Sequence, residues 1–80
     1  MTEGEIRAVV RESALRIFEL EPGELADDTA FEAVGGDSIQ RLELVSVLQE
    51  QLGVVFTVEE EVEIVSVRAA VEYSQRALEK

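Results

Sequence analysis

The sequence predicts an all-α fold, a small four-helix bundle with a long loop between helices 1 and 2 and a short third helix. Three observations carry this. Apolar residues recur at three- and four-residue spacings in four segments, the period of a helix that buries one face. Thr2 and Glu5, Asp37 and Gln40, and Thr57 and Glu60 each have the spacing of a reciprocal N-terminal cap. The one run of strand-like composition, Val54-Val55-Phe56-Thr57-Val58, has no second strand to pair with and reads as a buried loop.

The first helix is expected from about Thr2 to Phe18, with Ile6, Val9, Val10, Ala14 and Ile17 as its apolar stripe. Leu20-Glu21-Pro22-Gly23 is expected to end it, because proline disfavours helix just before it and glycine supplies a turn. The connection from Glu19 to Gly36 is long for so small a chain, so it should be functional or pinned by anchors of its own. Leu25, Phe31 and Val34 are the expected anchors, and Asp27, Asp28 and Thr29 suit a turn.

The second helix should start at Asp37 or Ser38 and end at Gly53, with Asp37 as cap. Leu44, Val45, Leu48 and Leu52 fall within one arc, the core face. Ile39 lies on the opposite side with Glu43, Ser46 and Glu50, and Leu42 sits on the shoulder. One exposed apolar residue among acids has the form of a docking surface; the alternative is that Ile39 tucks into the preceding loop. A third helix is expected from Val58 to about Val65, its acids near the positive end of the helix dipole. Ser66 should cap the last helix, with Val67, Ala70, Val71, Ser74 and Leu78 facing inward and Tyr73 beside the core.

Eighty residues are expected to form one domain, 1–80. Total stability of such a chain should be on the order of 4–12 kcal/mol. Starting at methionine, the chain reads as free-standing, although an excised domain can also carry an added start codon. The absence of cysteine excludes a disulfide scaffold and fits a reducing cytoplasm. No apolar run approaches the roughly 20 residues of a membrane span, and the acidic N-terminus has no signal-peptide character. Seven bases against eighteen acids give a net charge of −11, the wrong sign for a nucleic-acid backbone. Arg7, Arg11 and Arg16 lie near one end of the chain, and Arg68, Arg76 and Lys80 near the other. Between Ile17 and Val67 the only base is Arg41, against thirteen acids. The middle of the molecule is therefore a negative field around Ser38, suited to meeting basic partner surfaces. Simple solubility is the plainer reading of the same charge.

Ser38 follows Gly35-Gly36-Asp37 and opens the second helix. With no histidine or cysteine in the chain, nothing can serve as its imidazole base, so it is better placed to be modified than to catalyse. By its position alone, Ser38 could equally be a helix cap and nothing more.

The segment Asp28-Thr29-Ala30-Phe31-Glu32-Ala33-Val34-Gly35-Gly36-Asp37-Ser38-Ile39-Gln40-Arg41-Leu42-Glu43-Leu44 resembles the hallmark of the acyl and peptidyl carrier proteins. That hallmark is an Asp-Ser pair after a glycine, followed by an apolar residue and an acidic-apolar helix. The resemblance extends over nearly the whole chain. It implies that Ser38 carries 4'-phosphopantetheine, whose thiol holds an acyl or peptidyl chain as a thioester. It further implies that Asp37 supports the site and lies near the metal during loading. A phosphopantetheinyl transferase would move the group from coenzyme A in a Mg²⁺-assisted phosphoryl transfer. Loading and condensing enzymes with basic docking surfaces would be further partners, meeting Ile39, Leu42, Glu43 and Ser46. The chain itself would be a monomeric carrier and no enzyme, with no resident metal. Leu48, Phe56 and Val62 could line a space for cargo between the second and third helices, or simply pack the core.

The double glycine leans toward peptidyl and polyketide carriers, whereas Leu42-Glu43-Leu44 and the acidity lean toward acyl carriers. Gln40 stands where fatty-acid carriers usually have an acid, and Arg41 is unusual for that type. A dedicated carrier of a specialised pathway is therefore expected over a fatty-acid carrier. An adaptor that shares the fold but is never loaded, a carboxylate metal binder and a Ser38 hydrolase are the rival classes. The acids lack a calcium-loop pattern, and the missing histidine weighs against the hydrolase.

Overall fold

The computed structural model describes residues 1–79; Lys80, counted above among the C-terminal bases, lies outside the described residues. Four helices form the architecture: α1 (Glu3–Phe18), α2 (Ser38–Leu52), α3 (Val58–Glu63) and α4 (Val67–Glu79). Two short 3₁₀ turns, Pro22–Glu24 and Phe31–Val34, punctuate the long connection between α1 and α2. The described residues contain no strand, and Val54 and Phe56 are buried in the crossing to α3. Gln49 Oε1 accepts the Phe56 N–H at 2.9 Å and so holds that crossing to α2.

All three cap spacings are formed. Thr2, Asp37 and Thr57 each accept from the backbone N–H three residues on, and Glu5, Gln40 and Glu60 each reach back. The hydrogen bond from the Thr2 backbone lowers the Glu5 carboxyl below its usual range. The cap therefore keeps its full strength above the ordinary glutamate range and loses it as pH falls through that lowered value.

The core joins Ile6, Val10, Ala14 and Phe18 of α1 to Leu44, Val45, Leu48 and Leu52 of α2 and to Val67, Ala70 and Val71 of α4. α1 is the central element and packs on both α4 and α2. The predicted arc of α2 is the buried face, residue for residue. On α1, Ile6, Val10 and Ala14 are buried, whereas Val9 and Ile17 sit at the margin and Phe18 takes the inner place.

Three element readings are corrected. α1 ends at Phe18 as expected, but the stop is made by Glu19 and not by Leu20-Glu21-Pro22-Gly23: Glu19 adopts the left-handed conformation (φ 55°, ψ 53°) and donates its N–H to the Leu15 carbonyl. Pro22 instead opens the first 3₁₀ turn, where its fixed φ is already suitable. α3 stops at Glu63, two residues short of the expected end, because Ile64 leaves the helical region (φ −81°, ψ 80°) and becomes fully buried. Leu78 was expected inside and is 38% exposed; it lies in the final turn of α4, past the last buried residue, Ser74.

The long connection is pinned, as its length requires. Leu25 and Phe31 are buried, and Val34 packs against the core. Arg11 is the main clamp: Nη1 donates to the Leu25 carbonyl at 2.7 Å and to Asp27 Oδ1 at 3.1 Å, and Nη2 donates to the Pro22 carbonyl at 3.2 Å. Asp27 also pairs with Arg7 at 3.0 Å, and Asp28 with Arg68 at 2.8 Å. The Asp28 pair is largely exposed and contributes little by itself; the Arg68 backbone N–H to the Asp27 carbonyl, 2.9 Å, is the firmer link.

Candidate functional site

Ser38 is the first residue of α2 and is exposed. The cap is Asp37, not Ser38: Asp37 Oδ1 accepts the Gln40 N–H at 2.8 Å, and Gln40 Oε1 accepts the Asp37 N–H at 3.1 Å. No hydrogen bond involves the Ser38 hydroxyl among the described residues. The reading of Ser38 as a mere cap is thereby removed. The hydroxyl is left unused by the fold, next to first-turn N–H groups that have no intrahelical carbonyl.

The turn that presents it is held from several sides. Gln40 Nε2 donates to the Ile17 carbonyl at 3.3 Å, which ties the first turn of α2 to the end of α1. The Gly36 N–H donates to the Phe31 carbonyl at 2.9 Å, and the Phe31 N–H to the Val65 carbonyl at 2.8 Å. The Phe31 ring lies against Phe18, with centroids 4.8 Å apart. Sequence reasoning gave Gln40 a cap role only; its second bond spans 23 positions, so no local spacing could reveal it.

The two glycines before Asp37 serve different ends. Gly35 faces open space, with φ 87°. Gly36 serves the interior instead: a Cβ there would stand 2.7 Å from Phe18 Cε1 and 2.9 Å from the Phe31 carbonyl oxygen. Gly36→Ala is expected to lower stability by about 1–3 kcal/mol, the range for overpacking a tight contact. Urea unfolding of the variant checks this, and an unchanged midpoint would refute the close approach.

Beside Ser38 lies a half-open depression of about 340 Å³, lined by Glu32, Gly36, Asp37, Ser38 and Arg41. Arg41 is half-buried, and its Nε is buried without a hydrogen-bond partner. A guanidinium with an unsatisfied donor, one turn below a free hydroxyl, suits a phosphate ester formed at that hydroxyl. The residues present thus fit a phosphorylated group attached here.

The expected partner-facing residues share one exposed surface character. Ile39 is 77% exposed and Leu42 57%, and Glu43 and Ser46 are exposed as well. Ile39 therefore does not tuck into the loop. Leu48 and Phe56, offered as cargo liners, are ordinary core residues, and Val62 is 59% exposed and lines no interior space. A six-residue helix has too few turns for periodicity to fix its buried face.

A protein-family model for the phosphopantetheine attachment site matches residues 8–74, and the chain belongs to that family. The family is defined by covalent 4'-phosphopantetheine, so the protein is a phosphopantetheine-carrying carrier protein. Carriers of this kind are generally non-catalytic, and they imply a phosphopantetheinyl transferase and pathway enzymes as partners. No helix among the described residues is long and apolar enough to cross a membrane.

Proposed function

We propose that Ser38 is the attachment point and that the chain shuttles acyl or aminoacyl/peptidyl intermediates, as thioesters on the arm, between enzymes of a specialised pathway. Polyketide or nonribosomal peptide assembly is the pathway class favoured by Gly35-Gly36 and by Arg41 in the second helix. The observation that carries the reading is the exposed Ser38 hydroxyl, left free because Asp37 does the capping. During loading, the Ser38 oxygen attacks the pantetheine phosphorus of coenzyme A. The new phosphoester bond forms as the phosphoanhydride bond to the nucleotide breaks. The hydroxyl proton leaves to a base of the transferase, since this chain holds no histidine to take it. The chain's own part is to hold the hydroxyl still and accessible, with Asp37 fixing the turn.

Ile39, Leu42, Glu43 and Ser46 form the surface offered to the transferase and to pathway enzymes with basic faces. The chain acts as a single monomeric carrier domain in the cytoplasm. Intact mass after incubation with coenzyme A, Mg²⁺ and a broad-specificity transferase tests the assignment. One added phosphopantetheine, mapped to the peptide containing Ser38, is the expected result. No addition to a well-folded protein would favour the unloaded adaptor.

Docking should also respond to salt. Raising ionic strength from about 0.1 M to about 1 M shortens the Debye length from about 10 Å to about 3 Å. The dissociation constant for the transferase, followed by fluorescence anisotropy, is expected to rise severalfold across that range. Salt-independent binding would mean the acidic field has little part in recognition.

A further inference from the structure

Arg41 is the only base between Ile17 and Val67, yet it takes part in none of the ion pairs found among the described residues. Its Nε is buried without a partner, a condition that costs free energy until an acceptor arrives. Three positions separate it from Ser38, so the two side chains lie on one helix face. Side chains in helices lean toward the N-terminus, which carries the guanidinium back toward the turn that bears Ser38. Both residues line the same depression. Asp37 also lines it, but its Oδ1 is engaged by the Gln40 N–H. Glu32 and Asp37 are both acidic walls and repel an anion, which leaves the Arg41 side as the place for one.

We propose that Arg41 holds the phosphodiester of the arm carried on Ser38, so that the arm leaves the helix along the Arg41 side of the depression. This rests on the reading of Ser38 as the attachment point. The ester phosphorus follows Ser38 Oγ directly, within reach of a side chain one helical turn away. The guanidinium supplies donors matched to two phosphate oxygens, and the first-turn N–H groups of α2 supply others. Arg41 is then a positioning residue: it sets the direction of the arm and takes no part in the chemistry at the thiol.

The test is NMR on the loaded full chain, with loading verified by intact mass. On loading, the Arg41 Nε–Hε signal is expected to shift, and its exchange with water to slow about tenfold or more, the factor a charge-assisted hydrogen bond supports. The phosphorus-31 resonance of the loaded protein is expected to move and sharpen in Arg41→Gln, as a freed tether would, with Arg41→Lys in between. A loaded protein whose Arg41 signal is unchanged, and whose phosphorus signal is the same in wild type and Arg41→Gln, would overturn the role of Arg41 while leaving Ser38 intact. Failure to gain mass would overturn the Ser38 reading and this one together. Should Arg41→Gln fail to fold, the Arg41 signal of the wild type before and after loading decides the matter alone.

Discussion

Ser38→Ala is expected to gain no mass from coenzyme A, Mg²⁺ and transferase under conditions that load the wild type completely. The alanine lacks the only oxygen proposed to attack phosphorus, so the effect on loading is total and not a matter of degree. The fold should be untouched. Ser38 is exposed, its hydroxyl makes no hydrogen bond, and the cap of α2 belongs to Asp37 and Gln40. Alanine is also the better helix former, so stability should stay within about 0.5 kcal/mol of wild type. Circular dichroism and urea unfolding, run beside the mass measurement, separate lost chemistry from lost structure. A folded Ser38→Ala chain that still accepts phosphopantetheine would place the attachment elsewhere.

Phe31→Ala is expected to be the most damaging single substitution in the loop. Phe31 is fully buried, packs on Phe18, and has both backbone polar groups committed, the N–H to Val65 and the carbonyl to Gly36. Truncating a buried phenylalanine costs about 3–5 kcal/mol, against a total of about 4–12 kcal/mol for a chain of this size. The variant should therefore be partly or largely unfolded at room temperature, or show a sharply lower urea midpoint. If it remains folded, the backbone amide signals from Gly36 to Gln40 should shift most, because the Phe31 carbonyl holds the Gly36 N–H and its ring packs on Phe18, which lies against Gly36. A loss below about 1 kcal/mol would show that the loop is held by its ion pairs and not by this anchor.

The parts of this fold that were legible in the sequence are the local ones. Capping pairs three residues apart and the α2 arc of Leu44, Val45, Leu48 and Leu52 depend on the chain's own period, and both appear as read. Asp37, Ser38 and the exposed Ile39 and Leu42 could be placed for the same reason. What was missed is long-range or has no compositional mark. The end of α1 at Phe18 is as expected, but nothing about Glu19 announces a left-handed residue, so the sequence attributes the stop to Leu20-Glu21-Pro22-Gly23 instead. Gly36 carries no mark of a packing role in the sequence until Phe18 and the Phe31 carbonyl are brought against it. Arg11 looks like a solvated base until Leu25, Asp27 and Pro22 converge on it. Arg41 stood out by its sign, but only the structure gives it an orphaned nitrogen beside Ser38.

The turn that bears Ser38 is moored to the end of α1 through Gln40 and Ile17, and to the junction before α4 through Gly36, Phe31 and Val65. A swinging arm is useful only if its origin is known to the enzymes that wait for its tip. With Ser38 as the proposed attachment point, the pivot would be anchored at two distant points, the reach of the cargo would be set by the arm alone, and every partner that grips α2 in the same way would meet the thiol at the same radius.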